Sequence, residues 1–167
     1  MTATLATARL DLPFATQRCH LTTVDLQAGR IGHDAREMFS FGYCHYLASA
    51  LHEATGWRLA IMQQATVRPG SWRWAHTAVY AGCSNQLLDI EGMQEREQIA
   101  SRYSSYLGCG LFRWISVGWA DFATAIGLAG DPQPSWWRST WLGPAGPVIG
   151  SYVAQLVAAA REWDPSQ

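Results

Sequence analysis

The sequence predicts an α+β domain, and three observations lead there. From Cys44 to Thr55, apolar residues recur at Leu47, Ala50, Leu51 and Ala54, one face of an amphipathic helix. The period then changes to short strand-like runs separated by turn signals: Trp57–Met62, Trp72–Tyr80 and Gln86–Ile90. Beyond Gln94 the helical period returns. Short turns between successive strands predict an antiparallel meander. At 167 residues the chain fits one domain, 1–167. Its meander-bearing core runs from about residue 39 to 92, and a mainly helical part from about 94 to 163.

Taken in order, residues 1–28 carry weak periodicity, with a short strand expected over Cys19–Val24. His33–Phe39 reads as a short helix with Asp34 near its start. It leads into a loop, Phe41-Gly42-Tyr43, and then into the helix opened by Cys44, which Gly56 stops. Arg68-Pro69-Gly70-Ser71 marks the first strand turn and Ala81–Asn85 the second. Gln94–Leu107 reads as a helix with Ile99, Tyr103 and Tyr106 or Leu107 inward. Phe112–Val117 has strand character, Trp119–Leu128 is helical, and Pro147 suits the first turn of a last helix ending near Trp163.

Composition narrows the function classes. The net charge of −1 offers no basic excess for nucleic acid. No apolar run approaches the roughly 18 residues of a membrane span. Met1–Leu12 lacks the charged and apolar regions of a signal peptide, so a cytoplasmic protein is expected, or one delivered elsewhere by another route. Four cysteines without a CxxC pair argue against zinc, and no metal or cofactor is expected. Cys19, Cys83 and Cys109 read as free, buried or half-buried thiols. His33 and Glu37, four residues apart, read as a surface pair; a metal site would need a third ligand.

Cys44 stands apart because of its place. A thiol on the first turn of a helix feels unpaired N–H groups and the positive end of the helix dipole, which favour thiolate. His76 follows 32 residues later on one strand and Asp89 another 13 later on the next. Adjacent strands lie about 5 Å apart, so the His and the Asp can be neighbours. The types fit acyl transfer: Cys44 as nucleophile, His76 as base and then acid, Asp89 orienting the ring. The Cys44 N–H suits an oxyanion. Gly42, Tyr43, Trp72 and Trp74 surround these residues in sequence and are the candidate substrate walls. His45 and His52 fall on the flank of the helix away from Cys44 and read as surface or groove residues.

Phe41-Gly42-Tyr43-Cys44 opening Leu47-Ala48, then Ala75-His76-Thr77-Ala78-Val79, then Leu88-Asp89-Ile90-Glu91-Gly92, resembles the papain-like superfamily of cysteine hydrolases. It is similar to the small bacterial members with a Cys–His–Asp core: effector deamidases, thiol proteases and cell-wall amidases. The resemblance implies catalytic roles for Cys44, His76 and Asp89, and a protein or peptide substrate. Papain-type proteases also place a Gln shortly before the Cys. Glu37-Met38-Phe39-Ser40 has none, and Gln17 lies much further upstream. A cysteine-dependent protease or glutamine deamidase is the expected activity. The alternatives are a peptidoglycan amidase delivered as a toxin, or a non-enzymatic binding or inhibitory protein that keeps the fold, with Cys44 merely structural.

Eight of the nine tryptophans divide into two groups. Trp57, Trp72, Trp74, Trp114 and Trp119 lie on element patterns and are expected in the core. Trp136, Trp137 and Trp141 follow a Pro-rich loop and are expected to cap the core, or else to form an aromatic surface for a protein partner.

Overall fold

The computed structural model describes residues 6–16, 20–81, 86–107, 110–128 and 141–163. Among these residues the chain is an α+β protein with two antiparallel sheets. In the first, β1 (Thr7–Asp11) pairs with β2 (Thr23–Gln27). Helix α1 (His33–Ser40) and helix α2 (Cys44–Thr55) follow. The second sheet contains β3 (Leu59–Ala65), β4 (Trp72–Tyr80), β5 (Leu87–Asp89), β6 (Gly92–Gln94) and β7 (Phe112–Val117), in the order β6-β5-β4-β3-β7. Helix α3 (Arg96–Leu107) precedes β7; α4 (Trp119–Ala125) and α5 (Gly146–Trp163) come after it.

Local sequence explains the limits of α2. Gly56 takes a left-handed conformation (φ 70°) and returns its N–H to the His52 carbonyl, so the helix ends where only glycine is comfortable. Leu47, Ala50 and Leu51 of the predicted apolar face are buried, but Ala54 is exposed, and the helix also buries His45, Ala48 and Ser49. Sheet alternation sorts the core into two layers. Leu59, Ile61, Val79 and Leu88 pack in the main cluster with Leu47 and Leu51 of α2 and Ile149 and Val153 of α5. Ala60, Met62, Ala78 and Leu87 face the other way, toward Ile99 and Tyr103 of α3.

The ladder between β3 and β4 is interrupted. Met62 pairs with His76 but Gln63 pairs with Trp74, leaving Ala75 as an extra residue, a β-bulge. Without it Trp74 and His76 would share a face. With it, Trp74 turns to the α2 side and joins the main cluster, while His76 falls in with Met62 on the α3 side. The three-strand meander is present, but β6 adds a hairpin partner that the sequence pattern did not indicate. β1 was also unforeseen, and the second strand of that pair begins later than Cys19–Val24. The part expected to be mainly helical contributes β7 to the sheet edge beside β3. Residues 82–85, Cys19, Cys83, Cys109, Gln17, Trp136 and Trp137 lie outside the described residues, as do the side chains of Tyr106 and Leu107. Among the described residues, no helix is long and apolar enough to cross a membrane.

The tryptophans expected in the core lie at its margin. Trp57, Trp74, Trp114 and Trp119 are partly buried and pack against the clusters. Trp72 lies under the Arg113 guanidinium, 4.2 Å from its ring centre. Trp141 caps the core, edge-on to Tyr43 at 5.3 Å.

Candidate active site

Three elements bring the site together. The loop Phe41-Gly42-Tyr43 passes from the α3-side cluster, where Phe41 packs, to the main cluster, where Tyr43 packs. Gly42 makes this crossing with φ 129°, and a Cβ there would stand 3.3 Å from Phe14 Cε2. The loop delivers Cys44 to the first residue of α2. β5 bonds β4 only at Val79↔Leu88 and Tyr80↔Leu87, so the stretch of β4 around His76 lacks a β5 partner. There the loop and β4 share the walls of a cleft of about 170 Å³, lined by Phe41, Gly42, Cys44, Arg73, Trp74, Ala75 and Tyr103.

The three residues predicted to work together do meet. His76 is fully buried, and its Nε2 lies 3.0 Å from Asp89 Oδ2. The Cys44 thiol is in hydrogen-bond contact with His76 and with His45. The two oxygens of Asp89 have separate partners. Oδ1 accepts the Glu91 N–H and Gln94 Nε2, each at 2.8 Å, which closes the turn between β5 and β6. Oδ2 accepts from His76 and is 3.5 Å from Arg102 Nη1. Arg102 also hydrogen-bonds Gln94 Oε1.

The electrostatics favour an ion pair. Burial pushes the Cys44 thiol up, but the charge of His76 and hydrogen bonds from His45 and His76 outweigh it, bringing the pKa down to about 6. Burial pushes His76 down, and the Cys44 charge together with the Asp89 carboxylate raises it to about 9. Asp89 is held below the usual carboxylate range: burial opposes this, and the His76 hydrogen bond and charge, Arg102 and the Glu91 N–H overcome it. Between those values the pair is thiolate and imidazolium.

Of the four predicted substrate walls, Gly42 and Trp74 line the cleft. Tyr43 is 1 % exposed, stacks on Phe14 at 4.5 Å and donates its hydroxyl to the Phe14 carbonyl, so it anchors the loop from behind. Trp72 sits with Arg113 on the sheet end and does not line the cleft. His45 corrects the expectation of a surface or groove residue. It is 5 % exposed, packs edge-on to Trp74 at 5.1 Å and bonds the neighbouring thiol. Glu37 is not a surface residue either: it is 3 % exposed and accepts from Thr16 Oγ1 at 2.9 Å. Among the described residues no group of three or more His, Cys, Asp or Glu side chains is placed to hold a metal ion.

Sequence reasoning missed Tyr103 and Arg102 of α3. Tyr103 lies on the predicted inner face of its helix, but nothing in the local pattern says that this face meets His76. Its hydroxyl donates to the Ser40 carbonyl and lies 2.7 Å from His76 Nδ1. The cleft is narrow, and the thiol at its floor is 3 % exposed. No protein-family model, curated protein sequence or solved structure matches the chain.

Proposed function

We propose that the protein is a cysteine-dependent amide hydrolase with a papain-like Cys–His–Asp arrangement. The observation that carries this reading is the continuous contact from the Cys44 thiol through the His76 ring to the Asp89 carboxylate, with the thiol at the start of a helix and on the floor of a cleft. In the reaction the Cys44 thiolate attacks the amide carbon, and the Cys44 N–H faces the developing oxyanion. The His76 imidazolium gives its proton to the leaving nitrogen, which departs as amine or ammonia and leaves a thioester. Water then gives a proton to neutral His76 and adds to the thioester carbon. A carboxylic acid leaves, and the thiolate–imidazolium pair returns. Asp89 keeps its charge throughout and holds the ring orientation.

The amide is that of a peptide bond or of a glutamine side chain, and one experiment separates them. Candidate proteins treated with wild type or Cys44→Ala are compared by mass spectrometry. New N-termini with wild type alone mean peptide-bond cleavage; a gain of about 1 Da at Gln means deamidation. Identical digests, together with an unreactive Cys44, would remove the hydrolase reading. One observation favours a second reading, a non-enzymatic protein of the same design: the thiol is only 3 % exposed. That reading predicts no alkylation of Cys44 in the folded state.

A further inference from the structure

Tyr103 belongs to α3, outside the Cys–His–Asp segment, yet its hydroxyl touches both halves of the candidate site. It is 2 % exposed, and its ring lies 4.9 Å from that of His76 and 5.5 Å from that of Phe41. A phenol carries one proton. Tyr103 donates that proton to the carbonyl of Ser40, the residue that leads into the Cys44 loop. Toward His76 Nδ1, 2.7 Å away, the oxygen therefore presents a lone pair. A lone pair at that distance is satisfied only if Nδ1 carries hydrogen. Nε2, 3.0 Å from a carboxylate oxygen, carries hydrogen as well. Both ring nitrogens are then donors, one of them shared with the Cys44 thiolate that bonds the same ring, and a ring with two N–H groups is the imidazolium.

We propose that Tyr103 is a positioning residue of this site: by accepting from His76 Nδ1 while donating to Ser40, it holds His76 as the imidazolium and ties the ring to the loop that carries Cys44. The proposal rests on the Cys44–His76 reading and adds a fourth residue to it. The role follows from the proton count. A neutral His76 would offer either Tyr103 or Asp89 an acceptor where each needs a donor. The charged form satisfies both, and its charge is what keeps the adjacent Cys44 ionised. Among the described residues, the other titratable or charged groups around the site are Cys44 and His45 from α2, Asp89 from β5, Arg102 from α3 beside Asp89, and Arg73 on the cleft wall. Tyr103 contacts Nδ1 without carrying charge. Tyr103→Phe therefore removes an acceptor and leaves the local charges in place.

The test is the pH dependence of Cys44 alkylation by iodoacetamide in wild type and Tyr103→Phe, followed by intact-protein mass. The wild-type inflection is expected near 6. In the variant it should rise by about one pH unit, roughly a tenfold loss of thiolate below the inflection. A merely structural Tyr103 would change melting temperature or maximal rate and leave the inflection in place; that result overturns the proposal. If wild type itself shows the ordinary thiol inflection, the hydrolase reading goes too, so the two failures are distinguishable. A readout that needs no variant is ¹⁵N NMR of histidine-labelled wild type at pH 7.5. Two protonated nitrogens on His76 support the proposal, and a neutral-tautomer spectrum overturns it.

Discussion

At Asp89 the two carboxylate oxygens have different partners. Oδ1 closes the β5–β6 turn, and Oδ2 orients His76. Asp89→Asn keeps a side-chain oxygen for the Glu91 N–H but loses the charge opposite His76. It is expected to leave the fold intact by circular dichroism and to lower amide hydrolysis by about 10²–10⁴-fold. The sign of the stability effect follows from the depressed pKa of Asp89. Its contribution is present above the unfolded carboxylate value of about 4 and is lost as pH falls through the lower folded value. Thermal melts should therefore show an acid limb that Asp89→Asn weakens. The activity profile follows from the other two groups. The rate should rise through pH 6 as Cys44 ionises and fall through pH 9 as His76 loses the proton it gives to the leaving nitrogen. A steady-state pH profile on any substrate that is found checks both limbs.

Among the elements, the bounds of α2 and β4 were legible in the sequence, and the reason is physical. Each carries its own stop signal and a periodic face: Gly56 ends the helix, and the Pro69-Gly70 turn precedes the strand. The two candidate catalytic residues they carry could therefore be placed on elements. What could not be read was how those elements meet. The bulge at Ala75 has no glycine to announce it, and it puts Trp74 and His76 on opposite faces where unbroken alternation would put them on one. β6 has three residues, too few to show alternation. Tyr103 and Arg102 belong to the site through a helix–sheet contact that depends on the whole fold. Helical angle and nearness in the chain argue against His45 meeting the Cys44 sulfur, yet Trp74, turned inward by the bulge, closes over it. Gly42 carries the clearest element-scale prediction. At φ 129°, with Phe14 behind it, Gly42→Ala should destabilise the protein by about 1–2 kcal/mol in chemical denaturation. It should also slow Cys44 alkylation, because the strained loop is the one that places the thiol.

At the scale of the molecule, the α+β class was legible because the period changes at Gly56 and again near Gln94. The division into a core over 39–92 and a helical remainder does not describe how the protein holds together. β7 flanks β3, α5 shares the main cluster with α2, and Tyr152 of α5 accepts the Gln27 N–H of β2 through its hydroxyl at 3.1 Å. A fragment of residues 39–92 lacks all three and is expected to show no cooperative unfolding by circular dichroism. Leu51, fully buried where α2 meets the sheet, is a direct probe of the shared core. Leu51→Ala should cost about 2–5 kcal/mol in denaturant titration, the range for a buried leucine whose cavity cannot collapse. A loss of that size also threatens the site, since the same packing holds α2 against β4.

The central claim is that His76 keeps Cys44 as a thiolate at the floor of its cleft. Its most direct measurement is the rate of Cys44 alkylation by iodoacetamide against pH, in wild type and in His76→Ala. Wild type should react with an inflection near 6, and His76→Ala should return the inflection to the ordinary thiol range of about 8.5. A wild-type Cys44 that does not react while the protein is folded, or whose inflection is the same in both proteins, would contradict the account.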